Sequence, residues 1–169
     1  MSLKTKQCKH GKFTYYDNDR YIGRQLDVLG YYSENEVQTL LGLVWPGAIV
    51  IDVGANIGAI TVPLAKIAKR VYAYEPQPAV YDLLRANILA NKLTNVWASK
   101  IAIGAGDGVV EVPQYDLDEP DMNTGAVHVV PVPEELNFPD EAVIVPMNTL
   151  DWEVGKPFAF DLIKIDVEG

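Results

Sequence analysis

The sequence predicts an α/β domain, doubly wound around a mostly parallel sheet, with an antiparallel hairpin insertion and an incomplete C-terminal half. Three observations predict it. From Ala48 onward, nearly continuous apolar segments alternate with segments of helical periodicity, as expected for parallel strands covered on both faces. A glycine-bearing turn follows the first of these strands, and an acidic residue closes the second. The chain has 169 residues, 49% apolar and 22% charged, enough for one substantial core and unlike a disordered or fibrous composition.

The elements follow in order. Residues 12–32 carry aromatic and β-branched side chains broken by Asp17-Asn18-Asp19, Gly23 and Gly30, which predicts short strands or a hairpin. Residues 1–32 are therefore read as an N-terminal extension, with His10 near a disordered end, and 33–169 as the partial core. Ser33 and Glu36 have capping-box spacing, and Val37, Leu40, Leu41 and Val44 share a helical face until Pro46-Gly47 ends the element. AIVIDV is the first core strand, a helix runs from about residue 59 to 69, and RVYAYE is the second strand. The next helix, from about residue 78 to 91, places Val80, Leu83, Leu84 and Ile88 on one side, with Pro78 suited to its first turn. VWASKIAI reads as one third strand. GAGDG then signals a turn, GVVEVP and AVHVVPV pair as antiparallel strands, and AVIVPM is a further short strand limited, like its neighbours, by prolines. Residues 114–125 and 133–140 read as loops, Asn123-Thr124-Gly125 as a surface turn, with a cover over the acceptor site as the alternative, and His128 as an ordinary strand histidine. DLIKIDV returns as a fourth buried strand.

Charge and composition exclude several function classes. Lys and Arg total 14 against 23 Asp and Glu, a net charge of −9, which disfavours nucleic acid and anionic membranes as ligands. A single cysteine, Cys8, permits neither an internal disulfide nor a cysteine cluster, so a cytoplasmic location is expected. No apolar run approaches the roughly 20 residues of a membrane span, since Asp52 and Asn56 interrupt the most hydrophobic region. Two histidines far apart give no metal site, and Asp116, Asp118, Glu119 and Asp121 read as a solvated loop.

The chemistry concentrates in Asp52-Val53-Gly54-Ala55-Asn56-Ile57-Gly58, a D-x-G-x-N-x-G turn between a strand and a helix. Glycine allows a sharp turn and close approach of a ligand, and a following helix start offers free amide donors. Glu75, at the end of the second strand, stands where an acidic side chain accepts hydrogen bonds from ribose hydroxyls. GANIG lacks the central glycine of the dinucleotide fingerprint, and no Lys-Ser/Thr pair follows Gly58 as in a P-loop. The expected ligand is a single nucleoside without phosphates.

With VIDVGANIGAITVPLAK, VYAYEPQPAVYDLLRANILAN and the late LIKIDVEG, preceded by TLD at Thr149–Asp151, the sequence resembles FkbM-type methyltransferases from about Gly30 to Gly169. The resemblance implies a Rossmann-like class I methyltransferase core and S-adenosylmethionine as cofactor. It implies that Gly54, Asn56 and Gly58 line the methionine side, that Asp52 supports the loop and that Glu75 holds the ribose. Pro76 and Gln77 would flank the same edge, with adenine near Ile101 and Ala102. It further implies methylation of an oxygen on a small-molecule or carbohydrate-like acceptor.

Methyl transfer needs water excluded, the acceptor aligned and, where necessary, a proton removed. Asp166, at the carboxyl end of the fourth strand, is the candidate base, and Lys164 lies on the same face. A structural ion pair is the alternative reading of both; Glu168 is a further candidate. Only four core strands are accounted for, so the chain is read as a truncated piece or as a protein that self-associates through the Leu162–Val167 edge. A non-catalytic nucleoside-binding or interaction module is the rival function, and a nicotinamide-dependent dehydrogenase the third.

Overall fold

A computed structural model describes residues 2–113, 122–126, 128–131, 143–155 and 159–167. The chain opens with an antiparallel hairpin, β1 (Leu3–Cys8) and β2 (Gly11–Tyr16), followed by helices α1 (Ile22–Val28) and α2 (Glu34–Leu41). The core then alternates β3 (Ile49–Val53), α3 (Thr61–Ala65), β4 (Arg70–Tyr74), α4 (Pro78–Ala90) and β5 (Val96–Ser99). Next come the short β6 (Ala102–Ile103), β7 (Gly108–Val112), β8 (Val130–Pro131) and β9 (Val143–Asn148). Helix α5 (Leu150–Val154), begun by the Thr149 hydroxyl accepting from the Trp152 N–H, leads to β10 (Leu162–Ile165).

β10, β3, β4 and β5 form a parallel sheet in that order. Since β3 has its sequential neighbour β4 on one side and the distant β10 on the other, the chain reverses its winding there. A crevice therefore opens beyond the carboxyl ends of β3 and β10, where ligands bind in such sheets. Val50, Val71 and Ala73 bury one face against the α2, α3 and α4 side. Ile51, Val53 and Tyr74 bury the other, with Leu150 and Val154 of α5 packed on it. β6, β9, β7 and β8 form a second sheet with its own small core, and β7 and β8 pair antiparallel as the sequence predicts.

The N-terminal extension is not a loose appendage. Phe13 and Tyr15 are fully buried against Ile57, Val62, Val80 and Leu83. Asn87 of α4 and Asn91, which caps the helix's C-terminus, fix β2 from its open side. The Asn87 amide accepts from the Thr14 N–H at 2.6 Å and donates to the Thr14 carbonyl at 3.0 Å, and Asn91 treats Lys12 in the same way at 2.9 and 2.8 Å.

Several local expectations are corrected. The hairpin lies at residues 3–16, and 22–28 are helical because Ile22 and Leu26, four apart, bury one face. His10 is held at the hairpin turn, 2.8 Å from Glu34. Ser33 adopts a left-handed conformation and its hydroxyl meets the Glu36 carboxylate at 2.8 Å, so the pair forms no capping box. The helix expected over 59–69 is reduced to α3, flanked by turns. VWASKIAI splits in two because β4 ends at Tyr74, whose partner is Ser99; Ala102 and Ile103 turn away to pair with β9. His128 lies outside any strand. The loops expected at 114–121 and 133–140, with their acidic run, and Glu168 lie outside the described residues. Among the described residues, no helix is long and apolar enough to cross a membrane.

Candidate active site

A cavity of about 290 Å³ occupies the crevice beyond β3 and β10. Of the residues singled out in the sequence, Gly54, Asn56, Glu75, Pro76, Gln77, Ile101, Ala102, Lys164 and Asp166 line it. Asp52 and Gly58 do not. Gly58 has φ +87° and faces Leu84 of α4, where an added Cβ would come within 2.8 Å of a methyl group. Asp52 is fully buried beneath the loop and accepts a 2.6 Å hydrogen bond from the Thr61 hydroxyl.

The loop itself is built by close approach. Gly54 and Ala55 both donate to the Tyr74 carbonyl at 3.0 Å, which pins the turn to β4. Gly54 has φ +76°, and a Cβ there would meet the Asp166 carbonyl oxygen at 2.0 Å. Asn56 also has positive φ, +49°, and its side-chain oxygen accepts from the next residue's N–H at 2.8 Å, an interaction that eases this conformation for asparagine. Lys164 closes the loop from β10. Its ammonium donates to the Gly54 carbonyl at 3.0 Å and lies 3.3 Å from Asp52 Oδ1 and 3.6 Å from Asp166 Oδ2. Lys164 is thus an internal ion-pair partner, whereas the Asp166 side chain is 70% exposed at the cavity mouth.

Glu75 is 2% exposed. Its two oxygens accept the N–H groups of Asn56 and Gln77 at 2.9 and 3.0 Å. Burial pushes its carboxyl up to about 7, against the opposing pull of the hydrogen bonds from Gln77 and Asn56. Between the ordinary value of 4.5 and about 7 the folded protein keeps a proton that the unfolded chain releases. This group's contribution is therefore most favourable below the lower value and declines by about 3 kcal/mol as pH rises through the window. A ligand donating hydroxyls to the carboxylate favours its ionised form. Nucleoside affinity is accordingly expected to rise about tenfold per pH unit up to 7 and then level off. Titration calorimetry at pH 6 and 8 checks this; equal affinities would exclude Glu75 from the contact.

Residues beyond the sequence motifs complete the cavity. Tyr21, Ile22 and Tyr32 from the N-terminal segment line the cavity, as do Asp166 and Val167. Thr124, read as part of a surface turn, is fully buried, because its carbonyl accepts from the amides of Asn56 and Gln77 at 2.9 and 3.0 Å. The sequence of Asn123-Thr124-Gly125 suggests a surface turn or a cover over the acceptor site; contacts 47 and 68 residues away carry no local signal for the burial. The donor set suits a nucleoside. A ligand-sized hollow lies against a glycine whose Cβ has no room, a buried carboxylate faces it, and Gln77 Oε1 is buried with no hydrogen-bond partner among the described residues. No group of three or more His, Cys, Asp or Glu among the described residues could hold a metal ion.

A family model described as "Methyltransferase FkbM domain" matches residues 52–169. A probable ribosomal RNA small subunit methyltransferase A from Methanosphaera stadtmanae is 37% identical over 76 residues, covering 42% of this chain and 28% of that protein. A tRNA(Phe) (4-demethylwyosine(37)-C(7)) aminocarboxypropyltransferase from Methanocaldococcus jannaschii is 50% identical over 50 residues, covering 28% and 20%. Among solved structures, M. jannaschii TYW2 in complex with AdoMet is similar with a TM-score of 0.45 and 27% identity, over 57% of this chain and 42% of that one. The chain thus spans less than a third of the length of these curated relatives. Their RNA substrates overturn the expectation that nucleic acid is excluded and the acceptor glycan-like. The charge is unevenly distributed along the sequence: residues 1–100 hold 12 Lys and Arg against 8 Asp and Glu, and residues 101–169 hold 2 against 15. A net charge describes the field at no particular surface.

Proposed function

From the premise that the chain belongs to the methyltransferase FkbM domain family, we propose that its cavity binds S-adenosylmethionine and directs methyl transfer to an acceptor entering beside Asp166. The observation that carries this reading is the convergence on one cavity of the Gly54–Asn56 turn, Glu75 and Gln77 just after β4, and Asp166, which come from three separate stretches of sequence. S-adenosylmethionine, when bound, supplies an already activated methyl group. Gly54 and Asn56 would receive its amino-acid part, Glu75 its ribose and the Ile101–Ala102 segment its base.

The protein's own tasks are then positional. Lys164 holds the Gly54 carbonyl and so fixes the turn against β10. Tyr21, Ile22 and Tyr32 wall the acceptor side and exclude water from it. Asp166, exposed at the mouth, accepts the proton lost by an acceptor hydroxyl as its oxygen is methylated. Asp166→Asn is therefore expected to leave cofactor affinity within about twofold and to lower turnover about 10²–10⁴-fold. Unaltered turnover would remove the base from Asp166.

The deciding experiment is calorimetric titration of the chain with S-adenosylmethionine and S-adenosylhomocysteine, with NAD as control. Saturable binding of the adenosyl ligands alone supports the reading. Binding of NAD without them overturns it in favour of a dehydrogenase. An acceptor panel headed by RNA, the substrate class of the curated relatives, follows for transfer itself.

A further inference from the structure

We propose that Thr124 is a positioning residue that couples the cofactor side of the cavity to its N-terminal wall. This rests on the cofactor reading above and assigns a role to residues outside the motifs that suggested it.

Thr124 is bonded in two directions. Its backbone oxygen is shared by the Asn56 and Gln77 side-chain amides, and those two residues supply the N–H groups that bind Glu75. Its hydroxyl donates to Asp19 Oδ2 at 3.1 Å. Asp19 is itself 2% exposed and organises the start of α1, accepting the N–H of Tyr21 at 3.0 Å and of Gly23 at 3.1 Å through its carboxylate. A backbone hydrogen bond from the Arg20 N–H to the Met122 carbonyl at 2.8 Å runs alongside. The path from Glu75 to Tyr21 and Gly23 therefore consists of hydrogen bonds that run through the buried Gln77, Thr124 and Asp19.

The consequence is directional order. A ligand seated against Glu75, Asn56 and Gln77 restricts the two amides, these fix the Thr124 carbonyl, and the hydroxyl of the same residue fixes Asp19. The wall that meets the acceptor is thereby set when the cofactor side is filled. A threonine with only a structural role would stabilise the protein equally with and without ligand and would transmit nothing.

Hydrogen exchange of the full chain, with and without saturating S-adenosylhomocysteine, separates the two roles. In the wild type, exchange over Tyr21–Arg24 is expected to slow roughly tenfold on ligand addition, together with that of the 54–58 turn. Thr124→Val keeps the carbonyl and the shape but loses the hydroxyl: protection of the turn should persist while protection of Tyr21–Arg24 disappears. Thr124→Ser, which restores the hydroxyl, should restore it. Equal protection of Tyr21–Arg24 in wild type and Thr124→Val, or its loss in both variants alike, overturns the coupling. The wild-type measurement tests the idea without any variant, since protection of the turn alone refutes it. Failure of the wild type to bind S-adenosylhomocysteine would instead overturn the proposed function and this inference with it.

Discussion

Lys164→Met should destabilise the fold by about 3–5 kcal/mol, the usual effect of removing one partner of a buried ion pair. Asp52 has no exposure to water and would be left with the hydrogen bond from the Thr61 hydroxyl, its charge uncompensated. The Gly54 carbonyl would lose its 3.0 Å donor in the same step. Methionine fills a similar volume, so most of the loss would be electrostatic and not a cavity effect. Pairing the change with Asp52→Asn should recover a large part of it, because the stranded charge is then gone. Denaturant unfolding of the single and double variants measures both effects. A single variant within about 1 kcal/mol of wild type would mean that the Lys164–Asp52 pair is not the brace described here.

Gly54→Val combines two penalties at one position. The backbone has φ +76°, which a β-branched residue avoids, and the new Cβ would stand 2.0 Å from a backbone oxygen of Asp166, which has no rotamer to yield with. A loss of about 2–5 kcal/mol is expected from strain and overpacking together. Whatever fraction folds should bind S-adenosylhomocysteine without saturation, since the turn and β10 can no longer meet. Gly106→Ala is the matched control, because a Cβ there meets nothing within 4 Å. A Gly54→Val protein with wild-type melting temperature and affinity would sink the close-approach argument.

The parts of this molecule that could be read from sequence are those whose cause is local. A buried β3 announces itself by IVIDV, α4 by its apolar spacing and Pro78, and the Gly54 turn by glycines that a sharp approach demands. Glu75 and Asp166 followed because a residue at the carboxyl end of a parallel strand has its position fixed by the strand itself. Thr124 and Asp19 did not follow, being ordinary turn residues whose burial depends on each other across 105 positions. The same holds for Lys164: its isolated charge in an apolar strand pointed to a partner, but only the register Lys164↔Asp52 identifies which one. The exclusion of nucleic acid rested on an averaged charge, which carries no information about any one surface, and the curated relatives overturn it.

Asn87 of α4 and its C-cap Asn91 have an effect beyond joining the extension to the core. Strand β2 is one margin of a two-stranded ribbon, and such a margin ordinarily presents bare peptide groups that recruit another strand. Here Asn87 and Asn91 imitate that missing strand, each offering an acceptor and a donor in the alternation a β-ladder would use. The β2 edge is thereby closed to a further strand, and no proline or bulge is needed along Gly11–Tyr16 to close it.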